Sequence, residues 1–322
     1  MTALTANSDQ PIRVATSSSL LGEEVRFNGG HKHNDYLTKT LARYFELIPF
    51  CPEVAIGLGV PRPPIRLVSD GGQVRALGVA DPSLDVTGDL LEYGQTVASQ
   101  LGDVSGYILK RASPSCGMER VKIYSSKGMP VDSGAGLYAQ TIMQALPLLP
   151  VEEEGRLMDP VLRENFIERV FVYHRWQALC RSGMTAAKLV NFHTDHKFSL
   201  LAHDEVTYRE LGKIVAEAGT TDLSQLAERY ATLLMTAMKK RASRKLHSNV
   251  LMHIMGFLKE KIDTDDKAEL LDEIDKYRHG LVPLIVPITL LKHHLRRYPD
   301  PYIARQYYLK PHPEELMLRN SL

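Results

Sequence analysis

The chain has 322 residues, 44% of them hydrophobic and 24% charged, with a net charge of +1. That is an ordinary globular composition with enough apolar material for about two cores at roughly 150 residues each. Three cysteines are too few for a disulfide framework, which points to a reducing compartment.

The opening MTALTANSDQ is polar and lacks the basic-then-apolar pattern of a secretory signal. The most apolar late run, 280–291, is too short to span a bilayer and carries Pro283 and Pro287, so it reads as a buried segment. A cytoplasmic protein with no membrane partner is the expectation. Charge is uneven along the chain. Residues 1–155 carry 13 Lys and Arg against 17 Asp and Glu (−4), and residues 156–322 carry 26 against 21 (+5). Ten of the twelve histidines also lie in the second half. This asymmetry favours a second half that faces a polyanion.

In chain order, IRVATS (12–17) reads as a strand, DYLTKTLARYF (35–45) as a helix and LIPF (47–50) as a strand. LLEYGQTVASQL (90–101) reads as a helix, GYILK (106–110) as a buried strand and GLYAQTIMQAL (136–146) as a helix. The alternation predicts an α/β N-terminal domain over 1–150 with a mostly parallel, Rossmann-like sheet. PLLPVEEEG (147–155), with two prolines and three acids, reads as a linker. Beyond it, apolar residues recur every three and four positions in 163–179, 204–219, 223–240 and 247–262. An all-α C-terminal domain over 156–322 is therefore expected, with caps near Thr221–Asp222 and Asp263–Asp266.

Three motifs follow directly after predicted strands: TSSSLLGEEVRFNGGHK (16–32), PFCPEVAIGLGVPRPP (49–64) and KRASPSCGMERVKIY (110–124). Segments after parallel strands converge on one sheet edge, where ligand sites form. Ser19, Cys51 and Cys116 are thus candidates to meet in one crevice, although a lone buried cysteine is as readily a small hydrophobe. Cys180, in WQALCRSGM on a helix, reads as core.

These motifs resemble the TudS-type thiouracil desulfidase family over about 12–147, with the Ser-Ser-Cys-Leu-Leu-Gly, Cys-Pro-Glu and Ser-Pro-Ser-Cys-Gly signatures in order. NFHTDHKFSLLAHDEVTYRELG (191–212) and YRHGLVPLIVPITLL (277–291) resemble the YbgA-type helical domain that is often fused to it. The resemblance implies a 4Fe–4S cluster held at positions 19, 51 and 116, with one iron open to the sulfur of a substrate. Position 19 is Ser here. Either the chain is a Cys-to-Ser variant made to weaken the cluster, or it is a natural relative that has lost activity. The resemblance also implies non-redox removal of sulfur from a thiolated uracil. Glu53 would then activate water, and Ser113 would be the second catalytic residue. Read without it, Glu53 is a helix-start carboxylate and Ser113 a turn residue. His31 and Lys32, in GGHK, could line the pocket or sit in a solvated loop, and Arg62, in VPRPP, could contact a substrate phosphate or cover the sheet edge.

In the helical half, MKKRASRKLH (238–247), read as one helix, sets Lys240 against Arg244 and Arg241 against Lys245. Such like-charge pairs are unfavourable unless a phosphate backbone meets them. Lys239, Lys240, Arg241, Arg244 and Lys245, with Arg296 and Arg297 in KHHLRRY (292–298), are the candidate RNA contacts. The plain alternative is a solvated face. His193, His196 and His203 lack a completing ligand set and read as structural or RNA-contacting. A tRNA carrying 4-thiouridine is the expected substrate. A free thio-nucleobase, with the helical domain as an oligomerisation module, or a non-catalytic RNA-binding protein are the alternatives.

Overall fold

The computed structural model describes residues 11–321, so the polar opening MTALTANSDQ lies outside the described residues. The chain divides into two compact units, Met1–Asp159 and Pro160–Leu322.

The first unit is α/β. Its strands are β1 (Ile12–Ser17), β2 (Phe45–Phe50), β3 (Ile65–Asp70), β4 (Gln73–Gly78), β5 (Val104–Leu109), β6 (Val121–Tyr124), β7 (Pro130–Gly134) and β8 (Val151–Glu153). Its helices are α1 (Pro52–Ala55), α2 (Thr87–Gln100) and α3 (Leu137–Ala145). The first sheet has the order β2-β1-β5-β8, and every pairing in it is parallel. All six residues of β5 are buried, as a strand covered on both faces requires. The side chains fasten the layers. The Tyr107 and Tyr138 hydroxyls lie 2.9 Å apart between β5 and α3, and Tyr93 of α2 stacks on Tyr138 at 5.7 Å.

Three sequence expectations need correction here. Val151–Glu153 pair with β5 as the fourth parallel strand, so the middle of PLLPVEEEG belongs to the sheet; the division between units falls at Asp159. Glu153 is buried there and accepts the Met118 amide at 2.9 Å, which is why an acidic run can sit in a sheet. Residues 35–45 form no α-helix. Tyr36–Thr40 make a π turn and Leu41–Arg43 a 3₁₀ turn, and Phe45 already belongs to β2. A second sheet, β4-β3-β6-β7, was not anticipated. It pairs β3 with β6 in parallel and closes at each end with an antiparallel hairpin.

The second unit is helical: α4 (Pro160–Arg181), α5 (Ala186–His203), α6 (Glu205–Ala216), α7 (Leu223–Lys239), α8 (Arg244–Met255), α9 (Thr264–Arg278), α10 (Ile285–Arg297) and α11 (Pro301–Ala304), with short 3₁₀ turns. Its starts are chemically marked. Asp222 accepts the Ser224 and Gln225 amides at 3.0 Å, Ser243 the Leu246 amide at 3.3 Å and Asp263 the Asp266 amide at 2.8 Å. Phe198, Leu251, Ile254, Leu270, Ile288 and Tyr308 belong to one apolar core spanning α5, α8, α9 and α10. The run 280–291 leads into α10 and buries Leu284, Ile288 and Leu291. No helix of the described residues is long and apolar enough to cross a membrane.

Candidate active site

In the order β2-β1-β5-β8, the chain leaves β1 toward β2 on one side and later returns to β5 on the other. The carboxyl ends of β1, β2 and β5 therefore frame the crevice where open α/β sheets bind ligands. Each end carries one of the three motifs. Beyond β1, Ser18–Leu21 form a 3₁₀ turn closed by Gly22. Beyond β2, Cys51 precedes α1 and Glu53 lies in its first turn. Beyond β5, residues 110–117 form a loop. Ser19, Cys51, Glu53, Ser113 and Cys116 all line one cavity of about 310 Å³, together with Lys32 and Arg62. His31 lies outside that lining and accepts the His33 amide at 3.1 Å.

The 110–117 loop is rigidly anchored. Ser17 Oγ accepts the Lys110 amide at 2.9 Å, tying the ends of β1 and β5 together. The start of α3 donates into the loop, Leu137 N to Pro114 O at 3.2 Å and Ala139 N to Ser115 O at 3.0 Å. Two glycines permit this approach. A Cβ on Gly136 would stand 2.5 Å from the Ser115 carbonyl oxygen, and one on Gly117 2.9 Å from that of Ser113. Gly117 of SPSCG and Gly136 are thus packing requirements of the site.

A continuous hydrogen-bonded chain runs along the cavity wall. Arg62 donates to Glu53 Oε2 from Nε at 2.8 Å and from Nη2 at 2.7 Å, with its other nitrogen on the Val25 and Gly59 carbonyls, both at 2.9 Å. Ser115 Oγ donates to Glu53 Oε1 at 2.6 Å and lies 2.9 Å from Ser113 Oγ. Ser115 has one hydroxyl proton, and the carboxylate takes it. The Ser113 hydroxyl must therefore donate to Ser115, while Ser113 Oγ accepts the Cys116 amide at 3.1 Å. The direction of the wire is fixed: Ser113 to Ser115 to Glu53. Arg62 is buried in an ion pair, side chain 3% exposed, and is not an open substrate contact. Ser115 and the Arg62 pairing are the site features that sequence reasoning passed over. Ser115 was visible inside SPSCG, and Arg62 was read as facing a substrate or the sheet edge instead of Glu53.

Burial pushes the Cys116 thiol up to about 12, the Glu53 charge adding to it, and burial also raises Cys51. Both sulfurs are neutral thiols at neutral pH until a cation compensates them. As donors for a 4Fe–4S cluster, Cys51 and Cys116 are the soft ligands such a group requires, but Ser19 offers a hard, neutral hydroxyl in the third place. The described residues contain no group of three His, Cys, Asp or Glu that could hold a metal ion. As the chain stands, its donor set does not fit a cluster needing three thiolates.

A family model described as 2-thiouracil desulfurase matches residues 14–154, and one described as a protein of unknown function, DUF1722, matches residues 197–313. The chain is 32% identical over 159 residues to the uncharacterized protein YbgA of Escherichia coli K12, covering 94% of that protein and 49% of this chain. It is 30% identical over 138 residues to the uncharacterized protein YbbK of Bacillus subtilis 168, covering 90% of that protein and 41% of this chain. The chain joins a 2-thiouracil desulfurase-family unit to a DUF1722-family unit. Among solved structures, the 4Fe-4S-dependent thiouracil desulfidase TudS matches at 27% identity and a TM-score of 0.36, over 46% of this chain and 94% of that one.

In the DUF1722-family unit, the continuous basic helix expected over 238–247 is broken. α7 ends at Lys239, Lys240 is extended, and Ser243 caps a new helix. Buried groups hold the break. The Lys240 carbonyl accepts from Asn165 at 3.2 Å and faces His203 Nδ1 at 2.5 Å, and the Lys240 ammonium pairs with Asp204. Lys239, Lys240, Arg241, Arg244 and Lys245 are exposed around it, and Arg296 and Arg297 are exposed in the last turn of α10. The histidines have structural partners. His193 faces the Tyr230 hydroxyl at 3.1 Å, His196 the Phe192 carbonyl at 2.8 Å, and His203 pairs with Glu168 at 3.3 Å. Cys180, expected in the core, is exposed because it sits on the solvent side of the last turn of α4.

Proposed function

We propose that the desulfurase-family unit performs hydrolytic desulfuration of a thiolated uracil, with 4-thiouridine in tRNA as the substrate, and that Ser19 leaves this chain with little or none of that activity. Water supplies the new carbonyl oxygen, the sulfur leaves as sulfide, and no electrons are transferred. The observation that carries this reading is the convergence of Cys51, Cys116, Ser19 and the Ser113–Ser115–Glu53 wire on one cavity. Its volume lies in the range of small-ligand pockets and suits a single base.

The chain's own groups divide the work. Glu53 is the proton acceptor, linked through Ser115 to the Ser113 hydroxyl on the same cavity wall. Arg62 positions the Glu53 carboxylate and keeps its charge paired where it is only partly hydrated. Ser113, less buried than Ser115, orients water or the base. Cys51 and Cys116 would be the two soft ligands left for a cluster. The DUF1722-family unit contributes affinity for structured RNA through its exposed Lys239–Lys245 segment and the end of α10.

The test is Ser19→Cys. After anaerobic loading with iron and sulfide, the variant should acquire visible cluster absorbance and release sulfide from thiolated tRNA, while the Ser19 form shows little of either. No absorbance and no sulfide from the variant would refute the reading. Equal turnover of free 4-thiouracil and thiolated tRNA would retain the chemistry and discard the polymer substrate.

A further inference from the structure

A second cavity, of about 520 Å³, lies on the other side of the loop that forms the site. Ile65, Arg111, Ala112 and Pro114 line both cavities, so one short stretch of chain is the wall between them. The second cavity is strongly basic. Arg66, Arg111, Arg120, Lys122 and Arg156 surround it, against Glu119 and Glu153.

Partners account for some of this charge. Arg156 is taken by Glu152 at 2.6 Å and Glu119 at 3.0 Å, and Glu153 accepts loop amides. Four cations remain. Arg120 is 85% exposed, and its one carboxylate neighbour among the described residues, Glu119, is 3.8 Å away and already engaged by Arg156. Lys122 and the Arg111 guanidinium have no carboxylate partner among the described residues, and Arg66 lies 5.4 Å over the Tyr124 ring with its Nε buried and unpartnered. Ala112 and Arg120, neither of them glycine, are held at φ +57 and +55 on either side of the SPSCG turn. That left-handed backbone costs energy and persists only where the surroundings impose it. Four like charges around one hollow repel one another, and a row of phosphates turns that repulsion into binding. Tyr124, with its Arg66, adds a face on which a base can stack.

We infer that this groove holds the phosphodiester backbone next to the reacting nucleotide, so that a single-stranded RNA segment lies along Arg66, Arg120 and Lys122 while its thio-base crosses the Arg111–Pro114 wall into the cavity of Cys51 and Cys116. The inference rests on the proposed desulfuration and places a polymer contact in the unit that carries the chemistry. The deciding measurement is fluorescence anisotropy of a labelled, sulfur-free oligouridylate with the full chain across a salt series. The double variant Arg120→Glu/Lys122→Glu should bind at least tenfold more weakly at low salt, and its slope of log K against log salt should fall by about 1.4, two single-strand phosphate contacts. A thermal melt equal to that of the parent shows that the fold is intact, and Arg66→Gln provides a second, charge-neutral variant. Unchanged binding by both groove variants overturns the inference, as does loss of binding only when Lys239 and Arg241 are reversed. A parent chain that fails to bind RNA also overturns it. Sulfide release from free 4-thiouracil by Ser19→Cys reports separately on the chemistry, so the two readings can fail independently.

Discussion

Mild acid should unfold the helical unit through its buried histidines. His193 and His312 are pulled down to about 4, and His196 and His247 to about 3, in each case chiefly because burial disfavours the imidazolium. A folded-state pKa below the unfolded value of about 6.5 means that the unfolded chain binds the proton more readily. The stability these neutral rings contribute is complete above about pH 6.5 and is lost as pH falls. At about pH 5 each group is roughly 1.5 units below its unfolded pKa, a loss of about 2 kcal/mol, so four cost about 8 kcal/mol. Typical domain stability is about 5–15 kcal/mol, so the loss is decisive. His203 works in the opposite sense. Its hydrogen bond to Glu168 raises its pKa, giving stability that is present below about 6.5 and lost as pH rises through the raised value. One such group does not offset four. The assay is built into the sequence. Trp176 is the single tryptophan, buried in the helical unit against Phe192 and Tyr230 at 5.4 Å each, so its emission reports that unit alone. A cooperative red shift between about pH 6.5 and about pH 4.5 is expected. Emission unchanged down to about pH 4 would refute the reasoning, since all four unfolded-state histidines are charged there.

Arg62→Met removes both Nε and Nη2 bonds to Glu53 and leaves a half-buried carboxylate whose remaining hydrogen bond among the described residues comes from Ser115. A loss of about 3–5 kcal/mol in denaturant unfolding is expected, and a loss under about 1 kcal/mol would mean that Glu53 finds water instead. Thiol labelling of the native protein should show one fast cysteine, Cys180, then Cys51, with Cys116 last, because it is buried and its thiol is raised to about 12. Fast labelling of Cys116 would contradict its burial at 6% exposure.

The parts of the fold that could be read from sequence are those whose side chains all answer to one environment. β1 and β5 carry their buried runs because both faces of the sheet are covered there, and the helices of the second unit show their period because one stripe of each meets a common core. The second sheet escaped because VKIY and PVDSG are short, QVRALG and PVDSG are partly exposed, and its hairpin pairings carry little hydrophobic signal. The basic segment 238–247 misled because its charge pattern continues through a break that is set by Asn165, His203 and Asp204, residues distant in sequence.

The candidate site divides in the same way. Its loops were legible, since Pro after Cys51 and Gly after Cys116 mark backbone that must turn sharply beside a strand end. Its electrostatics were not, yet a rule could have supplied them. A carboxylate two residues beyond a buried strand end, facing a cavity with neutral thiols, cannot remain charged without a cation or several donors. The only basic residue in PFCPEVAIGLGVPRPP is Arg62, nine positions from Glu53 and on the same returning loop. Asking which cation neutralises Glu53, rather than which substrate Arg62 might touch, leads from the sequence to the pair that the structure contains. It also gives Arg62 the positioning role that follows from being 3% exposed.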